Sequence, residues 1–211
     1  MNVKSKKEID LFFALILFFM APLPELASRK NIKGKTVADF LWDQAEKKMC
    51  NLYAIVDSAR NDEIFKYFLT DTISYRSLFQ GKMDVKFFGV SGFLVECRKD
   101  SIIFNWLTTE AWGDSCSVFF ISKSHFEEVF RHLQKFNRVY LEDDDVVYFR
   151  FYDPRVLRLY LPSCNNKEIR TFFGEIESFF MESENPEILT EFQRHSAGWS
   201  DKLVIYTHEM I

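Results

Sequence analysis

Glycine and proline are scarce in this chain, 7 and 5 of 211 residues. That scarcity excludes collagen-like repeats and low-complexity disorder, which need these residues in quantity. Cysteine is sparse too. Cys50, Cys97, Cys116 and Cys164 stand far apart and form no Cys-x-x-Cys pair, so zinc-ribbon and dithiol spacings are absent. A free thiol in an apolar segment, as at Cys97 and Cys116, behaves as a small hydrophobe. This usage fits a reduced, cytoplasmic setting, although an even count leaves disulfides open. Positive charge is not concentrated either. The formal net charge is −4, and the basic clusters (Lys4, Lys6, Lys7 and Arg29, Lys30, Lys33, Lys35) lie near the N-terminus. Nucleic acid is therefore not an expected partner.

Long hydrophobic runs are missing as well. Leu11–Leu23 has thirteen residues, short of the roughly 20 that a spanning helix needs. It has the length of a signal-peptide core, but Glu8 and Asp10 stand where positive charge is wanted. Glu25 also spoils cleavage after Ala27, because a small residue is wanted two positions before. Three readings of residues 1–19 and the run remain: an export signal, an apolar helix docked on a partner, or an upstream extension with the true start at Met20. The second and third are preferred over export.

Signatures of chemistry are thin. No phosphate-binding loop and no dinucleotide fingerprint occurs. Gly89-Val-Ser91-Gly92 brings its last glycine one residue too early for a nucleophile elbow. His125 and His132 are seven apart on one predicted helix, whereas paired metal ligands on a helix sit at i and i+4, so both are expected to face solvent. No metal and no cofactor is expected. Asp57 ends a predicted strand, where a catalytic carboxylate can sit, but Ser58-Ala59-Arg60 after it equally suits a cap or an ion pair.

Aromatic residues are abundant: 24 Phe, 8 Tyr and 4 Trp within a hydrophobic content of 47%. Most of these rings are expected to fill a core, and any surplus can anchor a partner. Thr36 is placed to cap a helix running to about Met49, with Val37, Phe40, Leu41 and Ala45 as its apolar stripe. Leu52–Asp57, Phe93–Cys97 and Ser115–Ile121 read as strands. Asn61 or Asp62 opens a second helix, and Asp100 a third. Ser124-His-Phe-Glu127 matches a capping box, and Phe126, Val129, Phe130 and Leu133 follow at i, i+3, i+4 and i+7. Ser77–Gly81 reads as a turn. Arg138–Leu141 and Val146–Tyr152 flank the acidic tip Glu142–Asp145 as a hairpin, a solvated turn by composition. Asn165 or Asn166 starts a helix through Phe173. Glu182–Pro186 is a polar break, Ile188–Arg194 reads as helix or strand, Gly198 as a turn, and Lys202–Thr207 as a strand. Alternating strands and helices imply an α/β (α+β) domain, a mixed β-sheet flanked by helices, with the closing hairpin making the sheet mixed.

Phe149–Pro162 is the most informative stretch. Strand geometry puts Phe149 and Phe151 on one face and Arg150 and Tyr152 on the other. Asp153-Pro154 then starts a helix, with Pro at the first helical position and the Asp carboxylate free to accept the next turn's N–H groups. Arg150 or Arg155 is placed to tie down Asp153. Trp112-Gly113-Asp114 closes the preceding helix, Gly permitting a left-handed cap and Trp packing back on the last turn.

These landmarks occur in one order. Tyr53-Ala-Ile-Val-Asp57-Ser-Ala-Arg60 comes first, then Ser77-Leu-Phe-Gln-Gly81, Phe93-Leu-Val-Glu96 and Trp112-Gly113. Arg131-His-Leu-Gln-Lys-Phe136 and Phe149-Arg-Phe-Tyr-Asp-Pro-Arg-Val-Leu157 close the series. Over about Leu52–Phe180 the chain resembles the adaptor-chaperone family of bacterial type VI secretion systems, which load effectors onto the spike protein. The resemblance implies a cytoplasmic, non-enzymatic protein that binds a secreted effector and the valine-glycine-rich spike, with no membrane partner. It implies an α/β adaptor lobe over residues 36–162, a short C-terminal lobe over 163–211, and residues 1–35 as an apolar extension outside the family pattern. Trp112, Gly113, Arg150, Tyr152, Asp153 and Arg155 match its strongest motifs and are the candidates for partner binding or for the junction between lobes. The alternative is a hydrolase or transferase using Asp57 with Arg60 or Arg150, which demands a concave pocket joining those groups.

Overall fold

A computed structural model describes residues 26–31, 35–79, 91–140, 146–197 and 200–210. The run Leu11–Leu23, Gln80 and Gly81, Gly89, the acidic tip 142–145 and Gly198 fall outside the described residues. In chain order the elements are β1 (Leu26–Asn31), α1 (Val37–Lys48), β2 (Asn51–Asp57), α2 (Ile64–Thr70), β3 (Tyr75–Ser77), β4 (Gly92–Glu96), α3 (Ile102–Thr108) and β5 (Ser117–Ser122). There follow α4 (Phe126–Gln134), β6 (Arg138–Tyr140), β7 (Val146–Tyr148), α5 (Pro154–Ser163), α6 (Asn166–Phe173), β8 (Ile176–Glu182), β9 (Ile188–Ala197) and β10 (Ser200–Glu209).

Alternation along the central strands explains the layering. In β2, Leu52, Ala54 and Val56 enter one core cluster, while Tyr53 and Ile55 enter the other. In β5, Phe119 and Ile121 face the first cluster and Val118 and Phe120 the second. A strand covered on both faces reads as a continuous apolar run, which is why these segments show no polar alternation. Helices α1, α2 and α3 cover one face with Phe40, Leu41, Phe68 and Trp106. The other face is covered by α4, α5 and α6, with Phe130, Leu133, Leu157 and Phe172.

The large sheet has eight strands in the order β1-β10-β9-β8-β5-β2-β4-β3. Its pairings are antiparallel except β1 with β10, where Leu26 is aligned with Ile205 and Asn31 with Glu209. The sheet is therefore mixed, as expected, but for another reason. The β6–β7 hairpin forms a separate two-stranded ribbon, and the parallel neighbour comes from β1. Residues 163–211, set apart above as a short C-terminal lobe, supply β8, β9 and β10 to the same sheet as β5 and β2. A buried polar chain also ties them to α1. Lys48 donates to Ser178 (3.0 Å), Ser178 donates to Glu191 (3.0 Å), and Glu191 is bonded to His208 (3.0 Å).

Three of the six predicted helix starts, those of α2, α3 and α4, fall one residue later than expected. Ser101, not Asp100, caps α3 by accepting from the Phe104 N–H. At α2 the helix begins after Glu63, and the Asn61 carboxamide accepts from the Glu63 N–H. At α4 the reciprocal bond runs from the His125 N–H to Glu128, so the box is shifted from Ser124 and Glu127. Thr36 and Asn165 cap α1 and α6 as predicted, each with an acidic partner at the third helical position. Segment 188–197 resolves to strand. No helix among the described residues is long and apolar enough to cross a membrane.

Candidate functional site

The motif residues gather at one end of the sheet. Antiparallel register brings the last residue of β2, Asp57, opposite Gly92 at the start of β4, and Val56 opposite Ser117 at the start of β5. The last residue of β8, Glu182, pairs with Leu189 at the start of β9. Three carboxylates lie in this end wall: Asp57, Asp153 and Glu182, at 0%, 3% and 4% exposure. A buried carboxylate must be paired or fully hydrogen-bonded, and each of these is.

Asp57 accepts from the Arg150 guanidinium at 2.5 Å and from the Ala59 N–H at 3.1 Å. Burial pushes its pKa up, Arg150 pulls it down, and burial wins, leaving it above the usual carboxylate value. Arg60, the other sequence-level partner for Asp57, reaches away and donates twice to the Asp114 carbonyl, at 3.0 and 3.2 Å. Asp153 caps α5 through the Arg155 N–H (2.9 Å) and takes a two-point bond from the Arg155 side chain, at 3.0 and 2.6 Å. Burial works against its charge, but the Arg155 bonds outweigh burial and hold its pKa below the usual value. Of the two arginines offered for Asp153, Arg155 binds it and Arg150 goes to Asp57.

The strand expected to run to Tyr152 stops at Tyr148. Residues 149–153 turn instead, so Phe151 and Tyr152 are both buried rather than on opposite faces. Tyr152 lies flat over Gly92, where any Cβ would come within 2.5 Å of its ring. That contact explains the glycine, and burial pushes the Tyr152 hydroxyl up to about 12.

Trp112 and Gly113 do not close α3, which ends at Thr108. They stand in a turn that reaches the β8–β9 connection. The Trp112 indole N–H donates to the Pro186 carbonyl at 2.7 Å, and the Gly113 N–H donates to Glu182 at 2.5 Å. Arg158 donates to the Glu182 carbonyl at 2.6 Å. Glu182, Arg158 and Pro186 were not among the sequence candidates. The available signal was its place directly after the apolar run Phe179-Phe180-Met181, although composition puts Glu182 in the polar break that follows.

The end wall thus separates two kinds of group. Trp112, Gly113, Tyr152 and Asp153 are tied into the fold. Arg150 and Arg155 keep 40% and 50% of their side chains exposed, each clamped from behind by a buried carboxylate. Leu159, one turn beyond Arg155 on α5, is 50% exposed. The exposed large apolar residues among those described are Met49, Leu69, Tyr75, Ile102, Tyr148 and Leu159, with no Phe or Trp.

Among the described residues, two of the surface concavities bear on these groups. One, of about 320 Å³, is bounded by Val37, Trp112, Pro186 and Met210 beside this end wall. The other, of about 550 Å³, lies between α4 and the α6–β8 corner and includes Arg131, His132 and Lys135. Asp57 lines neither. His132, expected to face solvent, is half-buried: its ring is bonded to the Phe172 carbonyl at 2.8 Å, and burial lowers its pKa. His125 is exposed. No group of three or more potential metal ligands occurs among the described residues.

The family model described as "Domain of unknown function (DUF4123)" matches residues 52–171. No curated protein and no solved structure matches the chain.

Proposed function

Because the chain belongs to the DUF4123 family, we propose that it is an adaptor that holds a type VI secretion effector and presents it to the spike protein. The observation that carries this reading is the coincidence of the family match, residues 52–171, with the ordered motif set of the adaptor-chaperones. The domain occurs in effector-loading adaptors of that system. The side-chain arrangement supports a binding role over a catalytic one. Asp57 and Asp153 have their charges engaged by Arg150 and Arg155. What they present outward is a pair of pre-positioned guanidinium groups, with Leu159 beside Arg155.

Arginines held from behind lose little freedom on binding and are common energetic anchors of interfaces. Since no Phe or Trp among the described residues is exposed, affinity in this reading rests, over those residues, on the arginines and a few aliphatic contacts. The protein works in the cytoplasm, and its partners are the effector and the spike. The test is deletion of its gene. Delivery of one effector should stop while the apparatus continues to fire. Loss of delivery of every effector would make the protein a structural part of the machine instead. Asp57→Asn is the control for the hydrolase or transferase alternative, which requires that carboxylate, whereas an adaptor that stays folded should still deliver.

A further inference from the structure

We infer that the Trp112–Ser115 turn is a carboxylate-binding nest, and that Glu182 is its built-in ligand, so that the turn latches the C-terminal strands to the family domain. Two residues of this turn have left-handed backbone, Gly113 at φ +106° and Ser115 at φ +55°. Successive peptide N–H groups in such a turn point into one concavity, which suits an anion. Here they converge on a single carboxylate. Gly113 N–H donates to one oxygen of Glu182 at 2.5 Å. Ser115 donates to the other oxygen twice, from its N–H at 2.5 Å and from its hydroxyl at 2.7 Å. Three donors on two oxygens, at 4% exposure, satisfy most of what an ionised carboxylate needs. A non-glycine residue such as Ser115 adopts positive φ at a conformational cost, which the two bonds to Glu182 offset.

The latch has a second point of closure. Trp112 donates to the Pro186 carbonyl, and a Cβ on Gly113 would touch the Pro186 ring at 3.5 Å. On the opposite side Arg158 of α5 holds the Glu182 carbonyl. Glu182 and Pro186 both lie beyond the family match at 52–171, whereas Trp112, Gly113, Ser115 and Arg158 lie inside it. The Trp-Gly motif is therefore the receptor by which the family domain recognises the strand that follows it. This inference does not depend on the adaptor reading.

Chemical rescue tests it. Glu182→Ala should lower the melting temperature and leave a small cavity lined by the three donors. Sodium acetate should then raise the melting temperature of that variant in a saturable way, measured against sodium chloride of equal ionic strength and against the wild-type chain in acetate. Glu182→Gln should be destabilised without rescue, because its amide fills the space and sets an N–H₂ against a peptide N–H. Equal responses of the Glu182→Ala variant and the wild type to acetate would overturn the inference. Should Glu182→Ala fail to fold, the native chain still decides. The Gly113 and Ser115 amides should exchange with solvent at least a hundredfold more slowly than an exposed turn amide. Exchange at the rate of an exposed turn would overturn the latch.

Discussion

The Asp57–Arg150 pair gives the most quantitative consequence of this architecture. Asp57 has no exposed surface, and Arg150 is its charge partner at 2.5 Å. In Arg150→Ala the carboxylate keeps the Ala59 N–H but loses its counter-charge. Removing one member of a buried pair costs about 3–5 kcal/mol. The Arg150 side chain is 40% exposed, so water reaches the vacated space and the lower end applies, about 3 kcal/mol. For a chain of this size that is a fall of about 6–12 °C in melting temperature. Asp57→Asn is milder, about 1 kcal/mol, since the amide oxygen still accepts from Ala59 and Arg150 turns to water. The double variant should resemble neither sum. With no buried charge left it should lose about 1–2 kcal/mol, giving a coupling of about 2–3 kcal/mol between the sites. Urea unfolding of the four proteins measures this directly. A loss below 0.5 kcal/mol (a limit set at about the usual error of additivity) in Arg150→Ala, or strictly additive variants, would refute the claim that Arg150 is there to hold Asp57.

Other consequences are simpler. Gly92→Ala drives a methyl to within 2.5 Å of the Tyr152 ring and should cost about 2–3 kcal/mol, partly recovered in the double variant with Tyr152→Leu. His132 has its pKa lowered by burial, so the folded state binds a proton less readily than the unfolded chain. Its stabilising contribution is complete above the ordinary histidine value of about 6.5 and is lost as pH falls through the folded value. Chemical denaturation between pH 7 and 5 should therefore show a slope that His132→Phe reduces; an unchanged slope would mean that His132 is not the group responsible. Asp153 also has a lowered pKa, and its contribution is present above the ordinary value of 3.8 and lost as pH falls below it. Asp153→Asn, which keeps a capping oxygen, should be less stable than the parent at pH 7 and should close that gap near pH 2. A gap that persists at low pH would place the effect in packing rather than in charge.

Much of the fold was legible because the central strands are short apolar runs and the helices carry clear stripes. Phe126, Val129, Phe130 and Leu133 mark α4, and Leu52–Val56 marks β2. Order within the sheet was not legible. Nothing local in Ile188–Arg194 tells a strand from a helix, and only pairing with β8 and β10 decides it. Nor does the Phe149–Tyr152 pattern reveal that the chain turns at 149, since aromatic residues suit a strand and a buried corner equally. At the end wall, Asp153-Pro154-Arg155 was readable as a cap because its bonds are local. The Asp57–Arg150 and Gly113–Glu182 bonds span 93 and 69 residues, and so depend on topology that the sequence does not state.

In the function proposed above, the protein binds other polypeptides through a surface whose arginines are fixed from within. The most direct measurement is the composition and stoichiometry of the complex that the tagged chain forms in its native cell, compared between the parent and an Arg155→Ala variant shown to be folded. An effector and the spike protein are expected in stable proportion with the parent chain, and a reduced effector share with the variant. A parent chain recovered alone, at native abundance and with effector delivery active, would contradict it.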